Sequence, residues 1–157
     1  MKQTRNLPDH SLNITTDKKK LDVNYVHRYL SEQSYWSKGI PLQTVIQSIR
    51  HSYAFGLFLE EKQIGFARVI TDYSTFAYLA DVFVDKHYQN QGLGKTLVQH
   101  ILNDNKLQGI RRWMLMTLDA QSLYTKMGFD SLAHPERAME ITKPNIYNNP
   151  EKYGLPS

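Results

Sequence analysis

The run from Tyr78 to Leu107, YLADVFVDKHYQNQGLGKTLVQHILNDNKL, decides how the rest of the chain is read. Its first part, Leu79-Ala80-Asp81-Val82-Phe83-Val84, is apolar, β-branched and aromatic, and predicts a buried strand. A short polar connection, residues 85–91, follows. Gly92-Leu93-Gly94 then opens a segment with Leu93, Leu97, Val98, Ile101 and Leu102 spaced as one helical face. A strand therefore runs into a glycine-bearing loop, and the loop into a helix N-terminus. The first turn of a helix leaves backbone N–H groups without partners, and the helix dipole puts partial positive charge there. Glycines let a bulky anion approach the main chain, and Lys95 adds charge just inside the helix. This is a phosphate-binding arrangement.

Two phosphate motifs fail on single residues. Gly94-Lys95-Thr96 looks like the end of a P-loop, but the first glycine of that motif would fall at Gln89. A dinucleotide G-x-G-x-x-G fingerprint would need glycine where Leu97 stands. Gln89-x-x-Gly92-x-Gly94 does fit a known pattern. It resembles the [Q/R]-x-x-G-x-[G/A] loop with which the GNAT superfamily of N-acyltransferases holds the pyrophosphate of acyl-CoA. Downstream, Tyr124-Thr125-Lys126-Met127-Gly128-Phe129 resembles the same family's Y-x-x-x-G-F element. The two motifs stand in the family's order, and the resemblance spans residues 13–143.

The rest of the chain is consistent with one domain. Its 157 residues suit a single core. There is no apolar run of membrane-spanning length and no apolar leader in MKQTRNLPDHSLN, so neither a membrane partner nor secretion is expected. Cysteine is absent, which removes disulfides, thiolate catalysis and cysteine-bound zinc. A cytoplasmic setting follows as the expectation. The net charge of +4 is dispersed, with Lys18-Lys19-Lys20 and Arg111-Arg112 the tight clusters, and no nucleic-acid motif accompanies it. The six histidines lack ligand spacing, so no metal is expected.

In order, residues 1–11 read as a loose N-terminus, 12–16 as a weak strand, and 23–31 as a helix capped by Asp22. A loop with Tyr35-Trp36 leads to a second helix begun by Pro41. Residues 53–59, 64–70 and 76–84 form an antiparallel meander with polar turns. Residues 110–118 read as a central strand parallel to the 79–84 strand. Asp119 is placed to cap a helix that Gly128 ends. Residues 129–132 and 137–142 are expected to close the sheet as a hairpin, and 144–157 to form an irregular tail after a domain at 12–143.

The resemblance implies an α/β, mixed α+β, three-layer GNAT-like fold. Its mixed, mostly antiparallel sheet would have about six to seven strands, with splayed central strands and about four flanking helices. It also implies an acetyl-CoA-dependent N-acetyltransferase acting by direct transfer, with acetyl-CoA as co-substrate. The main chain of Val82, Phe83 and Val84 would hold the pantetheine arm, and an N–H near Phe83 the thioester carbonyl. Gln89, Asn90, Gln91, Gly92, Leu93, Gly94, Lys95 and Thr96 would hold the pyrophosphate. Tyr124 matches the tyrosine that protonates the leaving thiolate. Asp81, a carboxylate in an apolar run, is the candidate base, cation anchor or structural partner of Arg68.

Two family features are missing. The strand glutamate that several members use corresponds to an apolar or aromatic residue such as Tyr78, and the asparagine before the Y-x-x-x-G-F helix is absent from Thr117-Leu118-Asp119-Ala120. Acceptor-pocket candidates are Tyr35, Trp36, Asp72 and His134, with Phe55, Arg68 and Tyr73 beside them. Asp72 and Asp81 favour a small cationic primary amine. A protein amine, or a CoA-binding module without catalysis, are the alternatives. Family members commonly dimerise, but the sequence shows no signature of an interface.

Overall fold

In the computed structural model, residues 11–156 are described. The loose end expected over 1–11 lies outside them except for Ser11. Five strands form one sheet in sequence order: β1 (Leu12–Thr15), β2 (Tyr53–Leu59), β3 (Lys62–Thr71), β4 (Phe76–Val84) and β5 (Arg112–Met114). The first four are antiparallel neighbours, and β5 joins β4 in parallel. Four α-helices accompany them: α1 (Val23–Arg28), α2 (Leu42–Arg50), α3 (Leu93–Leu102) and α4 (Gln121–Thr125).

Period-2 alternation in the strands sorts side chains between two cores. Ala54, Phe66 and Phe83 join Val26, Leu30, Val45 and Ile49 of the first helical layer. Their neighbours Phe55, Ala67 and Val84 join Leu93, Leu97, Val98 and Ile101 on the other face. Both faces of β2–β4 are covered, which is why these strands read as near-continuous apolar runs. Burying a side chain such as Phe66, at 0% exposure, contributes about 1.5–3 kcal/mol.

Asp22 caps α1, accepting from the Tyr25 N–H at 2.9 Å. That helix widens into a π-turn over Tyr29–Gln33, closed by the Ser34 N–H on the Tyr29 carbonyl. Pro41 stands at the N-cap of α2, one residue earlier than the first-turn position expected.

The C-terminal third departs most from expectation. β5 is a three-residue edge strand, not a central one, and the hairpin expected over 129–132 and 137–142 is not formed; only a 3-10 turn, Pro135–Arg137, interrupts that stretch. Two of its apolar residues, Met139 and Ile141, are each 97% exposed. Among the described residues the sheet therefore has five strands, not six or seven. Asp119 does not cap α4; Ala120 is the N-cap, and its N–H donates to Thr117 Oγ1. Gly128, at φ +99, ends the helix as expected. The tail is irregular but not detached, because Tyr147 packs against the first-layer core.

Candidate active site

β4 and β5 are paired only at Phe76↔Arg112, Ala77↔Trp113 and Tyr78↔Met114. Beyond Tyr78, β4 continues to Val84 with β3 on one side and no strand of the described residues on the other. The two strands have separated, and a cleft of about 610 Å³ opens between Tyr78–Val82 and residues 115–120. Tyr35, Trp36, Arg68 and Tyr124 complete its walls.

At the head of β4, the loop to α3 is shaped by two left-handed residues, Asn90 at φ +62 and Gly92 at φ +77. Gln89 ties the loop back by donating from Nε2 to the Val84 carbonyl at 2.9 Å. Gly92 is the α3 N-cap, and its carbonyl accepts from the Thr96 N–H and Oγ1, both at 3.0 Å. No atom lies within 4 Å of where a Cβ on Gly92 would stand, and only a Val84 methyl comes that near Gly94. The main chain thus meets open space at a helix N-terminus, the electrostatics expected of a phosphate cradle. Leu93 points inward and is buried; the remaining loop candidates, Gln91, Lys95 and Thr96, lie on the exposed side. Phe83 offers only main chain here, since its ring is stacked on Tyr29 with centroids 3.8 Å apart.

Asp81 owes its position to a β-bulge. Between Phe66↔Phe83 and Arg68↔Ala80, β4 advances three residues while β3 advances two. Asp81 takes up the extra residue at φ +55, a conformation that aspartate tolerates better than most residues. The bulge turns its carboxylate into the cleft. Oδ2 accepts from Arg68 Nε at 2.6 Å and Oδ1 from the Trp36 indole at 2.8 Å. Asp81 is thus paired with Arg68, the structural alternative read from the sequence, with Trp36 as a second partner.

Tyr35 and Trp36 reach the cleft through the π-turn. Ser34 donates from Oγ to the Leu30 carbonyl at 2.6 Å and accepts from the Ser37 N–H at 3.0 Å. That folds the loop so that Tyr35 Oη accepts from the Leu118 N–H at 2.9 Å, across the gap from Trp36 on Asp81. The pair strap one wall of the cleft to the other. Tyr124 is 8% exposed, edge-on to Phe129. Burial first, then the neighbouring Tyr35 and Asp119, push its phenol up to about 12. It therefore carries its proton throughout the neutral range.

The other candidates are not brought to the cleft. Asp72, fully exposed, accepts from the N–H groups of Ser74, Thr75 and Phe76 in its own turn, and the Thr75 hydroxyl and these amides hold its carboxyl well below the usual range. His134 is exposed beside Glu136. Phe55 is core, and Tyr73 lies against Tyr53. Sequence reasoning named Tyr78 only as the residue in place of a strand glutamate, and it missed Tyr147. Burial, then the Asp81 charge, raise both phenols. Tyr78 lines the cleft. Tyr147 comes from the tail, where no periodicity could have flagged it. Among the described residues, no cluster of three or more His, Asp or Glu could hold a metal, and no helix is long and apolar enough to cross a membrane.

Residues 17–129 match the family model described as the acetyltransferase (GNAT) family. A Gibberella zeae protein provisionally described as an acetyltransferase is 34% identical over 135 residues, covering 72% of this chain and 75% of that protein. A soybean (Glycine max) protein named as a histone acetyltransferase is 32% identical over 116 residues, which is 73% of this chain but 49% of the relative. Among solved structures, a Xanthomonas campestris protein provisionally assigned to the same acetyltransferase family superposes with a TM-score of 0.86 at 42% identity, over 88% of this chain and 97% of that one.

Proposed function

The chain belongs to the GNAT family of acetyltransferases, and we propose that it moves an acetyl group from acetyl-CoA directly to the primary amine of a small molecule. The observation that carries this reading is the early end of β4–β5 pairing beside an open helix N-terminus. The loop from Gln89 to Thr96 holds the pyrophosphate on its main chain. The unpaired edge of β4 at Val82–Val84 hydrogen-bonds the extended pantetheine arm as a partner strand would. An N–H near Phe83 polarises the carbonyl.

The neutral amine attacks the carbonyl carbon, the C–S bond breaks, and Tyr124 gives its proton to the departing thiolate. The amine's surplus proton leaves to water. Much of the acceleration comes from holding the two reactants together, so few side chains are needed for chemistry.

Asp81 is assigned a positioning role. Both of its oxygens are engaged, which favours holding Arg68 and Trp36 in the cleft wall over acting as base. The same pairing, with Asp72 capping its own turn, removes the basis for a cationic acceptor; Tyr35, Trp36 and Tyr78 favour an amine borne on an apolar or aromatic body. A cytoplasmic setting is part of the proposal, in keeping with a cysteine-free chain.

The test is thiol release from acetyl-CoA across a panel of aromatic, aliphatic and polycationic amines with histone-tail peptides beside them. Turnover with a small aromatic or aliphatic amine is the expected result. Turnover with peptides alone would favour the second reading, a protein acceptor, which the named activity of the soybean relative supports. Release with no acceptor of any class would sink both.

A further inference from the structure

Asp81 fixes Arg68 without using all of it. The guanidinium donates to Asp81 Oδ2 through Nε at 2.6 Å, and among the described residues neither terminal nitrogen has a hydrogen-bond partner. An arginine carries most of its N–H donors on those two nitrogens, in a rigid fork. They are not sealed in the core, because no fully buried side-chain nitrogen or oxygen of the described residues lacks a partner. Arg68 lines the cleft, with its side chain 16% exposed, so the open edge of the fork meets the cleft.

The fork is also held steady. Arg68 stands on β3 opposite Ala80, beside the bulge, and the Trp36 indole grips the other oxygen of Asp81 at 2.8 Å. Among the described residues that line the cleft, Arg68 is the one cation. Tyr35, Trp36 and Tyr78 surround it with aromatic surface. Burial, then the Asp81 charge, raise the Tyr78 phenol, so at neutral pH it is a further donor. We propose that the acceptor amine also carries a carboxylate, which the terminal nitrogens of Arg68 bind, with its ring against these aromatics, as an aromatic amino acid would present them. This rests on the acetyl-transfer reading and narrows it. A planar fork matches a carboxylate with two parallel bonds. Asp81 repels a second carboxylate, but the guanidinium stands between the two and is nearer to each. Asp119, on the opposite wall, is exposed, where solvent and salt screen it.

The test is thiol release from acetyl-CoA with matched acceptors: phenylalanine against phenethylamine, tryptophan against tryptamine, and para-aminomethylbenzoate against benzylamine. Rates are compared per neutral amine. In at least one pair kcat/KM should favour the carboxylate by about tenfold or more, the value of a charge-assisted hydrogen bond. Arg68→Lys keeps a cation for Asp81 but loses the fork. It should shrink that preference to within about twofold, chiefly by raising the KM of the carboxylate partner. Turnover of amines with no preference for a carboxylate in any pair would overturn the proposal and leave the acetyltransferase reading standing. A preference that a folded Arg68→Lys variant keeps in full would do the same. No release with any amine or peptide would overturn both.

Discussion

β4 has two unlike sides. Toward β3 it is paired from Val84 to Ala77, interrupted only by the bulge at Asp81, and Phe66, Val69, Ala77, Leu79, Phe83 and Val84 are buried there. Toward β5 it is paired for three residues and then released. The first side makes the molecule stable; the second makes room. The contrast is what supports the proposed ligand position: the strand end without a second strand beside it, next to a helix start with free backbone N–H groups. Side chains follow the same division. Phe66 and Leu57 on the paired side are fully buried, whereas Met116 and Leu118 across the gap are mostly exposed.

If the gap side carries the chemistry, the largest effect should come from one hydroxyl. Tyr124→Phe should lower kcat about 10²–10⁴-fold and leave acetyl-CoA affinity within about twofold, measured by steady-state kinetics and calorimetry. Because the phenol is pushed up to about 12, it remains the proton donor below that pH. kcat/KM should therefore rise as the acceptor amine deprotonates, up to about pH 10, with no falling limb from Tyr124 in that range. A fall near pH 8 that Tyr124→Phe abolishes would contradict this.

On the paired side, Phe66→Ala should cost about 3–5 kcal/mol of stability by urea unfolding, independent of protein concentration. Ile141→Ala, at a position 97% exposed, should cost no more than about 0.5 kcal/mol. Equal costs would erase the distinction between the two halves. Trp36→Phe removes one hydrogen bond to Asp81 and loosens the strap. It should raise the acceptor KM about five- to tenfold, the value of one such bond, with acetyl-CoA affinity unchanged.

The smallest effect belongs to Asp72→Asn, which should leave turnover unaltered. Its carboxyl is held low by its own turn, so its contribution to stability is present above the ordinary aspartate range and fades as pH falls through that range and below. The thermal midpoints of variant and wild type should therefore converge on going from neutral to acid.

The same division explains what could be read from the sequence. β2, β3, β4 and α3 announced themselves because each packs within this chain, and packing imprints a period. The Gln89–Gly94 loop was legible because glycine at φ +77 and a helix start are local features. The bulge was not, since the bond that fixes Asp81 comes from Trp36, 45 residues away in sequence. The closing hairpin was misread for a related reason. Alternation over 137–142 states that the segment suits a sheet; it does not supply the partner strand that a sheet needs. Tyr147 reaches the first-layer core from a tail with no period at all.

The central claim is that the released side of β4 and the Gly92 turn together bind acetyl-CoA. Calorimetric titration of acetyl-CoA into the purified protein, with ATP as control, tests it most directly. Micromolar acetyl-CoA binding, no ATP binding, and loss of at least about a hundredfold in affinity in a folded Gly92→Glu variant are the predicted results, since that change puts a carboxylate into the cradle at a left-handed φ. No binding of acetyl-CoA, or binding that Gly92→Glu leaves unchanged, would contradict the account.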